Sequence, residues 1–124
     1  MSHDRRQWRD SRGSLWFLEP ALLLLLHYGP AHGYTLIDQL RDYGLQELHP
    51  SVVYRTLRDM ESKDWVTSSW DMERAKGPPR RVYQLSATGD RVLRDYIHDL
   101  NKAQERISDL IVAYHRHIEE GQGD

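Results

Sequence analysis

Over the last third of the chain Leu93, Leu100, Ile107 and Tyr114 recur every seven residues, and Tyr96, Ala103 and Leu110 recur every seven between them. That spacing is the a/d seam of a helix wound against another helix, and Ile97, Ile111 and Ile118 widen it. The helix is predicted to open at Ser86-Ala87-Thr88-Gly89 and run to about Glu120. At ~1.5 Å per residue such a helix is roughly 45–50 Å long. A chain of 124 residues cannot bury so long a stripe inside itself. The economical answer is the same helix from a second copy.

A second apolar element stands near the start. Residues 1–14 read as a flexible basic arm, with Arg5, Arg6, Arg9 and Arg12 against Asp4 and Asp10. From Leu15 to Tyr28 almost every residue is apolar. Pro20 suits a first helical turn, where its missing N–H costs nothing. Gly29-Pro30 stops the helix. A helix apolar on nearly every side must be covered on nearly every side, which one small domain hardly provides. Leu22 and Leu25 are therefore expected to join Leu93, Tyr96, Leu100, Ala103, Ile107, Leu110 and Tyr114 in a subunit interface.

Between these two elements lie two shorter helices and two strands. Leu36, Ile37 and Leu40 give a short amphipathic helix closed by Tyr43-Gly44. Pro50 opens a third helix running to about Lys63. At ~100° per residue its Val53, Leu57 and Met60 form one apolar stripe, while Ser51, Arg55, Arg58 and Ser62 gather opposite. Tyr54 stands on the flank. Trp65 to Trp70 and Arg80 to Leu85 then alternate with period two, around a loop from Asp71 to Pro79 that is long enough to project. The predicted fold is mainly α with a two-stranded β wing: a winged helix-turn-helix domain over 15–86, a C-terminal dimerisation helix over 87–120, and a tail over 121–124.

Charge and composition narrow the chemistry. The net charge is -2, which opposes indiscriminate binding to polyanions, but residues 49–83 carry seven basic against five acidic groups. Arg outnumbers Lys fourteen to three, and Arg is the better fork for phosphate and guanine. There is no cysteine, which removes disulfides, thiol catalysis and sulfur-ligated metals. No two of the seven histidines stand four apart on one helix, so no metal site is expected. No nucleophile–base pair, phosphate-binding glycine loop or paired carboxylate motif is present, so neither an enzyme nor a cofactor is expected. The longest apolar run, Ala21 to Leu26, is six residues, and the charged start has no apolar core behind it. A cytoplasmic protein away from membranes is the expectation.

Four motifs in order carry a resemblance. They are Gly29-Pro30-Ala31-His32-Gly33-Tyr34, then His49-Pro50-Ser51-Val52-Val53-Tyr54-Arg55-Thr56-Leu57, then Met60-Glu61 ahead of Trp65-Val66, and last Gly77-Pro78-Pro79-Arg80-Arg81-Val82-Tyr83-Gln84-Leu85-Ser86-Ala87-Thr88-Gly89. The last is similar to a wing-to-helix signature, G-P-x-R-K-x-Y-x-L-T-x-x-G. Over roughly residues 15 to 118 the sequence resembles the PadR family of bacterial transcriptional regulators, in its shorter subgroup with one C-terminal helix. His49 departs from the Ser or Asn usual before the reading helix and is a poorer cap. Leu100 stands where some members place a drug-stacking Trp.

The resemblance implies a homodimeric, ligand-responsive repressor on an inverted-repeat operator. The residues expected at double-stranded DNA are Tyr34, Ser51, Tyr54, Arg55 and Arg58 from the helices, and Arg74, Lys76, Gly77 and Arg80 from the wing. Trp16, Phe17, Tyr96 and Leu100 are the candidate lining of a cavity for a small apolar or aromatic effector. Two other readings stay open from the residues alone. One is a winged-helix adaptor that binds proteins, and the other is a small-molecule-binding dimer without operator binding.

Overall fold

A computed structural model describes residues 14–72 and 77–122. Its element order is α1 (Ser14–Tyr28), β1 (Ala31–His32), α2 (Gly33–Gln39) with a 3₁₀ turn (Leu40–Tyr43), α3 (Pro50–Ser62), β2 (Val66–Asp71), β3 (Arg80–Leu85) and α4 (Ala87–Gln122). The chain divides into two units, Met1–Leu93 and Arg94–Asp124. The basic arm at 1–13, the wing positions Arg74 and Lys76, and the last two residues lie outside the described residues.

In the first unit α1 supplies much of the core. Leu18, Leu22, Leu23 and Leu26 are buried, with Leu36 and Leu40 from α2 and its 3₁₀ turn, Val53, Leu57 and Met60 from α3, and Val66 and Tyr83 from the strands. This corrects two expectations. Leu22 and Leu25 are covered within one chain, so they have no surface left to give a second copy. A single winged unit does hold most of an all-apolar helix. Its two ends stay exposed: Leu15, Trp16 and Phe17 about half so in the first turn, and His27 and Tyr28 at the last. Pro20 also falls inside the helix rather than in its first turn. Its missing N–H leaves the carbonyl one turn back without its helical partner. Burial of Leu18 and Pro20 itself offsets that loss.

Helix ends follow local chemistry. After the 3₁₀ turn, Gly44 takes a left-handed φ of 75°, while Gly44 N–H donates to Arg41 O and Leu45 N–H to Leu40 O. Helix α3 ends the same way with Asp64 in the left-handed position at φ 63°, Asp64 N–H donating to Glu61 O and Trp65 N–H to Met60 O. At its start His49 does cap the helix: Nδ1 accepts from Ser51 N–H at 3.1 Å and stands 2.8 Å from the Ser51 hydroxyl. An imidazole nitrogen with a free lone pair thus replaces the hydroxyl or amide oxygen expected there.

The wing is part of a three-stranded antiparallel sheet ordered β1-β3-β2, rather than a two-stranded one. Ala31 pairs with Tyr83 and His32 with Val82. Two residues between Pro30 and Gly33 are too few to display a period of two, so the sequence hides this strand. The β2–β3 ladder runs from Val66↔Leu85 to Asp71↔Arg80.

The first turns of α4 belong to the winged unit. The Ser86 hydroxyl donates to Asp64 O at 2.5 Å and lies 2.9 Å from Trp65 O, and Gly89 N–H donates to Ser86 Oγ at 3.0 Å. His27 Nε2 stands 3.6 Å from Asp90. Leu93 is buried here, which corrects its expected place in a subunit seam. In the second unit Ile107, Leu110 and Tyr114 are 55%, 73% and 61% exposed, and Ile111 and Ile118 accompany them. Tyr96, Leu100 and Ala103 are half-buried. Among the described residues no helix is long and apolar enough to cross a membrane.

Candidate nucleic-acid interface

Helix α3 owes its position to Val53, Leu57 and Met60, which sit in the core and turn the opposite side outward. Ser51, Arg55 and Arg58 are exposed on that side. Ser51 is partly committed, because its hydroxyl and its N–H both meet His49. The two flanks of the helix differ. On one, Arg55, Thr56 and Asp59 face Leu15, Leu18 and Glu19 across a recess of about 340 Å³. Asp59 holds Lys63 at 3.0 Å, and that hydrogen bond keeps the exposed Lys63 ammonium above the ordinary lysine range.

On the other flank Tyr54 leans over Gly33, where any Cβ would run into its ring. Tyr54 and Tyr34 share a recess of about 240 Å³ with His32, Arg80, Arg81 and Tyr83. The Arg80 guanidinium lies 4.5 Å from the centre of the Tyr34 ring. His32 stacks on the same tyrosine at 5.3 Å, and its Nε2–H donates to Asp71 Oδ2 at 3.0 Å. Tyr83 is 4% exposed, and burial pushes its phenol above the ordinary tyrosine value of 10.0, with Arg81 pulling the other way. Gly77, at the described edge of the wing loop, takes a left-handed φ of 88° and is exposed.

A second network ties α3 to the wing. The Ser68 hydroxyl donates to Glu61 at 2.6 Å, and Arg81 donates to Ser68 Oγ at 3.1 Å. Arg81 also stands 3.7 Å from Glu61 and lies over the Trp70 ring at 4.8 Å. Of the sequence-predicted DNA residues, Tyr34, Tyr54 and Arg80 are therefore brought together, and Ser51, Arg55 and Arg58 lie on the adjoining helix face. Sequence reasoning missed His32, Asp71, Glu61, Ser68 and Arg81 as members of this surface. The strand pairing Asp71↔Arg80 was the one available signal, and it needed the register to be read.

Trp16 and Phe17 meet edge to face at 5.0 Å between ring centres and are about half exposed. Tyr96 and Leu100 belong to the other unit. Among the described residues no three His, Asp or Glu side chains stand together as metal ligands would.

Cations on an exposed helix face beside a cationic strand pair can neutralise phosphates and reach base edges in a groove. Known proteins bear on that surface. A family profile described as the transcriptional regulator PadR-like family matches residues 22–95. Among solved structures, the chain is similar to a conserved protein of unknown function described as a potential transcriptional factor. The two share 30% identity, covering 84% of this chain and 92% of that one, with a TM-score of 0.72. A PadR family transcriptional regulator from Eggerthella lenta is 28% identical over 89% of this chain and 90% of its own, with a TM-score of 0.65. A PadR-like transcription factor from Bacteroides fragilis is 25% identical over 87% and 98%, also with a TM-score of 0.65. Comparison with curated proteins finds no match. The profile spans more than half of the sequence and takes in the second half of α1, all of α2 and α3, both long strands and the start of α4, so the chain belongs to the PadR-like family of transcriptional regulators.

Proposed function

We propose that this regulator reads specific DNA sequences as a homodimer, and that it is a ligand-responsive repressor acting on an inverted-repeat operator in the cytoplasm. Helix α3 enters the major groove and the wing lies beside it. The observation that carries the reading is the exposed face of Ser51, Arg55 and Arg58 on a helix whose flank holds Tyr54, Tyr34 and Arg80 together. Arg55 and Arg58 are suited to guanine or phosphate, and Tyr34 and Arg80 to phosphate. Gly77 at the exposed edge of the wing loop, with Arg74 and Lys76 expected from the sequence alone, completes the proposed contact set.

The second copy pairs through Tyr96, Leu100, Ala103, Ile107, Leu110 and Tyr114. Support comes from the exposure of Ile107, Leu110 and Tyr114, since a run of exposed apolar residues at heptad spacing needs a covering helix. Two-fold symmetry then calls for half-sites about one helical turn apart. The repressor sense follows the family resemblance. A small apolar or aromatic effector would act by favouring one of two arrangements of the dimer.

The test is binding of a fluorescent duplex carrying the gene's own upstream region, measured across salt concentrations. Affinity should fall steeply as salt rises, because counterions are released from each neutralised phosphate. Preference over a random duplex of equal length should survive. Absence of any salt-dependent binding would favour the adaptor reading, which the net charge of -2 keeps in view.

A further inference from the structure

The last rung of the wing ladder, Asp71↔Arg80, reaches back with both side chains to the entrance of α2. Asp71 Oδ2 lies 3.0 Å from His32 Nε2, and each of these two side chains is 24% exposed. Arg80 lies over the ring of Tyr34, and His32 stacks on that same ring with the planes 19° apart. The four residues form a closed circuit: strand rung, hydrogen bond, stack, cation over ring. Gly33, in the middle of the tripeptide, lies directly against Tyr54 of α3. His32-Gly33-Tyr34 thus touches both wing strands and the reading helix.

We propose that His32 and Asp71 are positioning residues for DNA binding, closing a clasp with Tyr34 and Arg80 that fixes the wing relative to α3. This rests on the reading in which α3 and the wing bind duplex DNA. A wing is a long ribbon, and small rotations at its base become large displacements further out. The clasp removes that freedom before DNA arrives. Arg80 held over an aromatic ring also loses fewer rotamers on meeting a phosphate than a free arginine would. Neither His32 nor Asp71 has to touch DNA for this to act.

Charge alone gives the opposite expectation for Asp71, which makes the proposal easy to separate from plain electrostatics. Removing a carboxylate beside a polyanion should tighten binding. If Asp71 works by position, its removal should weaken binding instead.

The experiment measures affinity for the upstream-region duplex across salt for wild type, His32→Ala, Asp71→Ala, Arg80→Ala and the doubles, with folding checked by circular dichroism. Each of His32→Ala and Asp71→Ala is expected to weaken binding about three- to tenfold, the scale of one side chain losing its preorganisation. Their salt slope should match wild type, since no phosphate contact is lost, whereas Arg80→Ala should lower the slope by about one. His32→Ala should cost little more once Asp71 or Arg80 is already alanine, because residues of one circuit do not add. Should His32→Ala fail to fold, His32→Phe keeps the stack, removes the hydrogen bond and should reproduce Asp71→Ala. Wild-type or tighter binding by Asp71→Ala, or full additivity with Arg80→Ala, would overturn the clasp. If Arg80→Ala and the Arg55→Ala, Arg58→Ala pair also bind as wild type, the DNA-reading assignment fails, and the clasp with it. If those weaken binding and the clasp variants do not, only the clasp fails.

Discussion

Tyr83 shows how one residue links packing to a measurable pH response. Its phenol is buried between the sheet and α3, and desolvation holds the proton on above the ordinary value of 10.0. The unfolded chain gives that proton up first as pH rises past about 10, so the folded state gradually loses stability through the raised range. Below pH 10 the contribution is fully present. Thermal unfolding of wild type and Tyr83→Phe should therefore diverge on the alkaline side, with Phe losing less; parallel curves would contradict the burial argument. His49 makes a similar point about caps. The motif comparison read it as a poor cap because it is neither Ser nor Asn, yet its Nδ1 accepts the Ser51 N–H. His49→Ala should cost about 1 kcal/mol in urea unfolding, while His49→Asn should cost much less.

At the scale of elements, helices were legible because their burial stripes are long and periodic. Val53, Leu57 and Met60 lie where a 100° rotation puts them, and all three are buried. Strand β1 was not legible, because a two-residue strand carries no pattern and depends wholly on its partner β3. Leu22, Leu25 and Leu93 show a related limit: periodicity says that a residue is covered, but not whether its own chain or another covers it. The clasp was hidden for a third reason, since His32 and Asp71 stand thirty-nine positions apart and meet only through sheet register. Between α3 and α4 the connection is tight. Gly89 is packed so closely that a Cβ would strike the Trp65 carbonyl, and the Ser86 hydroxyl bridges Asp64 and Trp65 nearby. Backbone cannot yield as a flexible side chain can, so Gly89→Ala should destabilise by about 2 kcal/mol or more. An unchanged urea midpoint would mean that the joint is looser than its geometry.

At the scale of the whole molecule, the heptad stripe and the outer face of α3 are two exposed surfaces among the described residues, proposed to serve different partners. The seam is apolar and exposed at Ile107, Leu110 and Tyr114. Leu100→Asp with Ile107→Asp should put buried charge into the pairing surface and give monomer or aggregate in sedimentation; a stable dimer would remove this helix as the pairing element. The other surface, with Arg55 and Arg58 exposed on α3, is polar and cationic, and it is the one proposed to read DNA. Arg55 and Arg58 lie away from Val53, Leu57 and Met60, so replacing them should leave the core intact. One bidentate arginine–guanine pair gives ~1–3 kcal/mol of discrimination, while a phosphate contact weakens all sequences alike when lost. The most direct measurement is therefore duplex affinity of the Arg55→Ala, Arg58→Ala protein, its fold verified by circular dichroism, on the upstream-region duplex and on a random one at the same salt. The expected result is weaker binding, with the preference between duplexes reduced if either arginine reads a base and retained if both hold phosphate. Wild-type affinity on both duplexes would contradict the assignment of α3 as the reading helix.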